Sequence, residues 1–313
     1  MTHVGKLRTV NSCREDFRQI LEENRIPQST VAKELGYSPA SLSLWLAGKY
    51  AGDSSKVEES VLRWINDFHE RNLTQVSAGQ YVETEAAKQI TKTLRFAQLL
   101  GNFCCVYGAS GLGKTTTIQN FIADKNNAWL VTMSPAQRSL KSVLGAILEG
   151  LHVPISNGNN SQLRREIVDR LNGSAGILVI DEAQHCTWEV LEEVRSIHDQ
   201  CKVGLVLVGS EKVYGTITGG ARRAEYAQIF SRIAKSYSVQ TPTKECVHAV
   251  ARGFGITDNA SLGFLYDVAA RRGALRMVTG CIAYAQMLAN GAEKPLDVNF
   301  LKAAYRELVT DVA

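Results

Sequence analysis

The 313-residue chain has no C-x-x-C pair among its seven cysteines, no run of about 18 consecutive apolar residues, and no charge excess large enough to define a partner. The cysteines, at 13, 104, 105, 186, 201, 246 and 281, are odd in number and stand mostly in apolar surroundings. That pattern speaks against a disulfide framework or a zinc site and fits reduced core thiols. The first residues, MTHVGKLRTVNS, hold no apolar segment, so neither a secretion leader nor a membrane span is expected. The expectation is a soluble cytoplasmic protein. A net charge of +4 permits a nucleic-acid partner without demanding one. What is present is ample apolar content, 45%, enough for cores in two or three domains at about 100–200 residues each.

The most informative stretch is Gly108-Ala109-Ser110-Gly111-Leu112-Gly113-Lys114-Thr115, which matches G-x-x-x-x-G-K-[ST]. An apolar strand-like run, Asn102 to Tyr107, precedes it, and Thr115 to Phe121, with Thr116 inside, continues as a helix. Strand, glycine-rich loop and helix N-terminus suit a polyphosphate, because backbone N–H groups close around it and the helix dipole favours its charge. Lys114 is expected to reach the β- and γ-phosphates of ATP, and the Thr115 hydroxyl to ligate Mg²⁺.

Before this loop the sequence is helical. Ser12 and Glu15 have capping-box spacing, and a helix is expected to run from there to about Glu23. Gln28 to Lys49 has the helix-turn-helix pattern: Ala32 in a first short helix, Gly36 at the turn, Ser38 capping a second helix that turns Leu42, Trp45 and Leu46 inward. Pro39, Ala40, Ser41 and Ser43 are its expected groove-facing residues. Residues 1–75 carry ten Lys/Arg against ten Asp/Glu, so this domain is not itself basic. A helix over Val57 to Glu70 completes it, and Leu73 to Gln80 reads as a linker.

From Tyr81 apolar strands alternate with helical stretches, as in βαβ units around a parallel sheet. A helix from Glu85 to Leu100 leads in. Ile177 to Ile180 is a continuous apolar run followed by Asp181 and Glu182, the mark of a strand buried on both faces that ends in two acids. Asp181 is placed to serve Mg²⁺, and Glu182 to take a proton from a water attacking the γ-phosphate. Lys202 to Val208 is a further strand, expected beside the phosphate-loop strand, with Ser210 just after it in reach of the γ-phosphate. Gly219 to Arg223 forms a basic loop containing Arg222 and Arg223. Arg232 follows, placed beyond a short helix, where it can reach a neighbouring subunit's γ-phosphate. From Thr243 the pattern is helical throughout, and Arg276 opens the third of four helices, positioned to lie over the nucleotide. Lys235, Arg271, Arg272, Lys302 and Arg306 make this part basic. The division expected is therefore residues 1–75, an all-α helix-turn-helix domain; 76–240, a P-loop α/β nucleotide domain; and 241–313, a helical lid.

GASGLGKT, VIDEAQH, VGLVLVGS, VYGTITGG, IFSRIAK and GALRMV, with the LAGKYAGD end of the helix-turn-helix, together resemble AAA+ ATPases. Within that group the resemblance is to the phage Mu B family of transposition ATPases, relatives of the TnsC type of transposon regulator. It implies an ATP- and Mg²⁺-dependent protein that binds double-stranded DNA with little sequence preference. Such proteins assemble on DNA as helical filaments, deliver that DNA to a cognate transposase and activate it. By position it assigns Lys114 and Thr115 to nucleotide and Mg²⁺, Asp181 and Glu182 to hydrolysis, Arg232 to the finger and Arg276 to the lid sensor. One departure is Ser210, where asparagine is more usual, which bears on hydrolysis rate and not on ATP binding. DNA contact is expected from Ser38, Ala40, Ser41, Ser43, Lys49, Arg222, Arg223 and Lys235.

Two other readings stay open on sequence alone. One is a sequence-specific regulator whose helix-turn-helix reads an operator while ATP switches conformation. The other is a helicase loader or replication initiator of the same ATPase clade.

Overall fold

Apolar side chains at helical spacing close the beginning of the chain into a four-helix unit. The computed structural model describes residues 10–24, 26–73, 81–137, 139–218, 229, 231–271 and 273–310, and the chain divides into two units, residues 1–76 with 290–294 and residues 77–289 with 295–313. The first holds α1 (Val10–Glu23), α2 (Gln28–Glu34), α3 (Pro39–Leu46) and α4 (Ser54–Leu73). Phe17 is its centre: its ring meets Trp45 edge-on at 6.5 Å and Trp64 at 5.3 Å. Edge-to-face contact is the preferred geometry for such rings and adds about 0.5–1.5 kcal/mol per pair to their burial.

The α2–turn–α3 geometry follows the sequence pattern. Ala32 is buried, Gly36 takes φ +75°, and Ser38 Oγ accepts the Ser41 N–H at 3.0 Å as the cap of α3. The helix expected to start at Ser12 begins at Val10, which puts Ser12 in its first turn and not at the cap position. Nothing in Val10 or Asn11 breaks a helix, and the turn extends back over them.

The second unit is a parallel sheet between two helical layers. In order come α5 (Glu85–Leu100), β1 (Phe103–Tyr107), α6 (Lys114–Ile122), β2 (Ala128–Thr132), α7 (Leu140–Gly150), α8 (Asn160–Leu171), β3 (Ile177–Asp181), a 3₁₀ turn (Ala183–His185), α9 (Trp188–Cys201), β4 (Gly204–Gly209), α10 (Glu211–Thr218) and β5 (Ile233–Ser238). The strands lie in the order β2-β3-β4-β1-β5, all neighbours parallel. Side chains alternate across the sheet with period two. Phe103, Cys105, Leu178, Ile180, Leu205 and Leu207 join the layer of α7, α8 and α9. Cys104, Val106, Val179, Val206 and Val208 face Ile90, Leu94 and Ile118 of α5 and α6.

A strand is expected over Ala128 to Met133, where β2 lies, but no expectation covers β5. Its IAKSYS sequence mixes apolar and polar residues, as a half-exposed sheet edge does, and so it lacks the continuous apolar run that betrays β3 and β4. Lys235, expected within a basic surface region, is a half-buried residue of this strand.

Four helices complete the unit: α11 (Lys244–Gly253), α12 (Asn259–Ala269), α13 (Ala274–Gly291) and α14 (Val298–Thr310). They share a core of Val247, Leu262, Leu265, Val278, Ile282 and Leu301, among others. Among the described residues no helix is long and apolar enough to cross a membrane.

Candidate functional site

The loop between β1 and α6 lies at the C-terminal edge of the sheet, where open α/β sheets form their ligand crevices. Lys114 is the first residue of α6 and is buried, with Nζ donating to the carbonyls of Gly108 and Ala109 at 2.8 Å each. Burial holds its ammonium below the usual lysine range, and Arg276 adds to that, while Asp181 and Glu182 oppose it. Leu112 contributes backbone only: its side chain is a core residue among Ile118 and Val106. Ala109, Ser110 and Thr116 are exposed.

The acids arrive from the next strand but one. Asp181 ends β3, almost fully buried, and its Oδ2 accepts the Thr115 hydroxyl at 2.7 Å. Its Oδ1 accepts the Glu182 N–H at 2.8 Å. A hydroxyl at the N-terminus of α6 paired with a buried carboxylate is an all-oxygen donor set, which suits a hard divalent cation such as Mg²⁺. Glu182 turns the chain sharply, at φ +54°, a backbone conformation that costs a non-glycine residue about 1–2 kcal/mol. Such strain is tolerated where a side chain must be aimed, and Glu182 lines the same cavity as Lys114.

Ser210 follows β4, and β4 pairs directly with β1, as the topology argument expected. Its Oγ is buried and has no hydrogen-bond partner among the described residues. Its main-chain N–H donates to Gln184 Oε1 at 3.1 Å, and Gln184 Nε2 donates to Glu182 Oε2. Motif reading passes over Gln184, because a glutamine two residues past a pair of acids carries no spacing signal of its own.

The C-terminal helices roof the site. Arg276, in the first turn of α13, lines the cavity, which has a volume of about 360 Å³ and also takes in Ser110 and Leu275. Apolar Val82, Val250 and Phe254 line it too, from segments that no motif marks. The cradle of N–H groups at a helix start, a cation, an oxygen pair and an apolar side together fit a nucleoside triphosphate with Mg²⁺.

Arg232 lies apart from this cavity: it ends a short helical turn and immediately precedes β5, and since β5 pairs in parallel with β1, with Ile233 opposite Phe103, it stands at the sheet edge opposite the phosphate loop. About half exposed, it lies 3.7 Å from Asp199. It therefore cannot serve the nucleotide of its own chain. In the first unit Ala40, Ser43 and Lys49 are exposed, whereas Ser41 is half-buried, its hydroxyl within 2.8 Å of Ser38 Oγ, so both hydroxyls are engaged in the cap of α3. Arg222 and Arg223 lie outside the described residues, as does Arg272.

A family model described as an AAA domain matches residues 99–217, and one for the Mu B transposition protein, C terminal, matches 231–308. The chain is 33% identical over 303 residues to the ATP-dependent target DNA activator B of Escherichia phage Mu, covering 97% of each. It is 36% identical over 265 residues to the Mu-like prophage FluMu DNA transposition protein B of Haemophilus influenzae, covering 84% of this chain and 92% of that one. Among solved structures its fold is similar to the Aeropyrum pernix ORC2 protein, with a TM-score of 0.59 at 16% identity over 74% of this chain and 71% of that one. A parallel sheet in this order, a phosphate loop roofed by helices, and relatedness along nearly the whole length agree: the chain belongs to the Mu B family of AAA ATPases.

Proposed function

We propose that this protein is an ATPase that binds duplex DNA with little regard to sequence, assembles on it as an ATP-dependent filament in the host cytoplasm, and presents that DNA to a transposase that it activates. The observation that carries the reading is the meeting of Lys114, the Thr115–Asp181 pair and Glu182 around one cavity that Arg276 closes from the C-terminal helices. In this reading the chain works in three parts: 1–75 contacts DNA or a partner, 76–240 holds the nucleotide, and 241–313 is the lid.

Lys114 and the amides at the start of α6 bind the β- and γ-phosphates. Thr115 and Asp181 hold Mg²⁺, which when bound neutralises charge on the phosphate oxygens. Glu182 takes the proton of the attacking water as its oxygen bonds to the γ-phosphorus and ADP leaves. Ser210, with its unpartnered hydroxyl, hydrogen-bonds the γ-phosphate or that water. Arg232, at the far edge of the sheet, acts on the nucleotide of the next subunit, which makes nucleotide binding and assembly one linked equilibrium.

Weak base reading is supported by α3, whose exposed start offers Pro39 and Ala40 where a sequence-reading helix carries donors and acceptors. Backbone contacts summed over many subunits supply affinity without it. Relatives named as target DNA activators support the same role.

Negative-stain electron microscopy with random-sequence duplex DNA tests the proposal. Regular filaments are expected with ATP, none with ADP or without nucleotide, and none for Lys114→Ala under any condition. Discrete particles indifferent to nucleotide would overturn it in favour of a regulator or loader.

A further inference from the structure

Gln184 bridges two parts of the site. Its Oε1 accepts the main-chain N–H of Ser210 at 3.1 Å, and its Nε2 donates to Glu182 Oε2. The amide orientation is not a free choice: a backbone N–H can only donate and an ionised carboxylate can only accept, so oxygen must face β4 and nitrogen must face Glu182. A side chain at 184 therefore needs an acceptor and a donor at the same distance from the backbone and no charge. Glutamine meets all three demands. Glutamate would place a second carboxylate against Glu182, and methionine would fill the space with neither bond.

The backbone makes room for this contact. Gly209, the last residue of β4, has no side chain where one would collide: a Cβ there would lie 2.3 Å from Gln184 Oε1. Glu182, held at φ +54°, is in turn fixed at its main-chain N–H by Asp181 Oδ1. Asp181, Glu182 and Ser210 are thus joined in one chain through Gln184: Asp181 to Glu182, Glu182 to Gln184, and Gln184 to the main chain of Ser210, whose hydroxyl has no partner among the described residues.

We infer that Gln184 is a positioning residue that fixes the Glu182 carboxylate relative to the end of β4, so that contact of Ser210 with the γ-phosphate and alignment of the proton acceptor occur together. This rests on the hydrolytic role proposed for Glu182. Among the described residues Gln184 makes no hydrogen bond to Lys114 or Thr115, whose polar groups bond Gly108, Ala109 and Asp181, so it sets turnover and not nucleotide binding. It also gives a physical account of how a serine serves at 210: the main-chain N–H, not the side chain, carries the link to Glu182, and the shorter hydroxyl is left free for the nucleotide.

The test is ATP turnover of the full chain with duplex DNA, for wild type, Gln184→Met, Gln184→Glu, Glu182→Gln and the double variant Glu182→Gln/Gln184→Met, with ATP affinity measured separately by titration. Gln184→Met is expected to lower kcat roughly 10- to 100-fold, the loss that a misplacement of about 1 Å produces, with KM and ATP affinity unchanged. Gln184→Glu should be no better, despite being able to hydrogen-bond. In the double variant the Gln184 substitution should cost nothing beyond Glu182→Gln, because a positioning residue acts through the group it positions. Wild-type kcat in both single variants, additive losses in the double variant, or lost ATP affinity would each overturn the inference. A wild-type protein that binds ATP and never turns it over would instead overturn the hydrolytic reading on which it stands.

Discussion

The main-chain N–H of Arg276 donates to the carbonyl of Gly111 at 3.3 Å, which hydrogen-bonds the first turn of α13 to the phosphate loop itself. The fit is close on the other side as well. A Cβ on Gly111 would lie 2.3 Å from the carbonyl oxygen of Gly273, and Gly111 has φ +81°. Lid and loop are therefore one joint, and what moves one moves the other.

Gly111→Ala is expected to break that joint. The left-handed backbone alone costs alanine about 1–2 kcal/mol, and the clash is with backbone, which cannot swing aside as a side chain would. The variant should remain folded with a lowered melting temperature, and ATP should raise that temperature far less than in wild type. Thermal melts with and without ATP check this; an undiminished ATP-induced rise would mean that the lid does not depend on this contact.

Arg232 offers a test in mixtures. Lying at the sheet edge opposite the phosphate loop, it is expected to be dispensable for ATP binding and required for hydrolysis between subunits. Arg232→Ala should bind ATP with wild-type affinity and hydrolyse it roughly 10³-fold more slowly, within the range known for such arginines. Mixed with Glu182→Gln protein, which keeps its arginine, it should regain part of the activity, because a mixed interface in one of its two orientations combines an intact Glu182 with an intact Arg232. Absence of recovery in co-assembled samples would remove the arginine from that role.

His198 makes stability depend on pH. Its ring is buried beside Phe103, with Nδ1 2.8 Å from the Val203 carbonyl. Burial, chiefly, holds its pKa below the ordinary 6.5, against the opposing pull of the Val203 carbonyl and Asp199. The unfolded chain therefore binds a proton that the native chain resists, so this contribution is complete above pH 6.5 and is lost as pH falls below it. Melting temperature should drop on acidification more steeply for wild type than for His198→Gln. Parallel curves would show that this histidine is not among the groups responsible.

Much of the architecture was legible in the sequence because its signals are local. The boundaries of α5 were readable to the residue, since Thr84 caps one end and Gly101, at φ +58°, closes the other. β3 and β4 announced themselves as unbroken apolar runs because both of their faces are covered. β5 did not, because a half-exposed edge strand carries too many polar residues to form an apolar run. Gln184 stayed hidden for a different reason: its importance lies in reaching Ser210, 26 residues away, and no local pattern encodes that distance.

The sequence by itself determined the chemistry on offer. A glycine-rich loop with Lys114 and Thr115, two acids after a buried strand, and two short helices joined at Gly36 are fixed by short-range sterics and hydrogen bonding, and short-range rules are written in adjacent residues. Only the tertiary structure decided which of these groups meet. Thr115 and Asp181, 66 positions apart, come to 2.7 Å because β3, β4 and β1 pair in that order, while Arg232 is carried to the far edge by the parallel direction of β5. Strand order and direction depend on burying both faces of the sheet at once, a property of the whole chain that no single stretch of it contains.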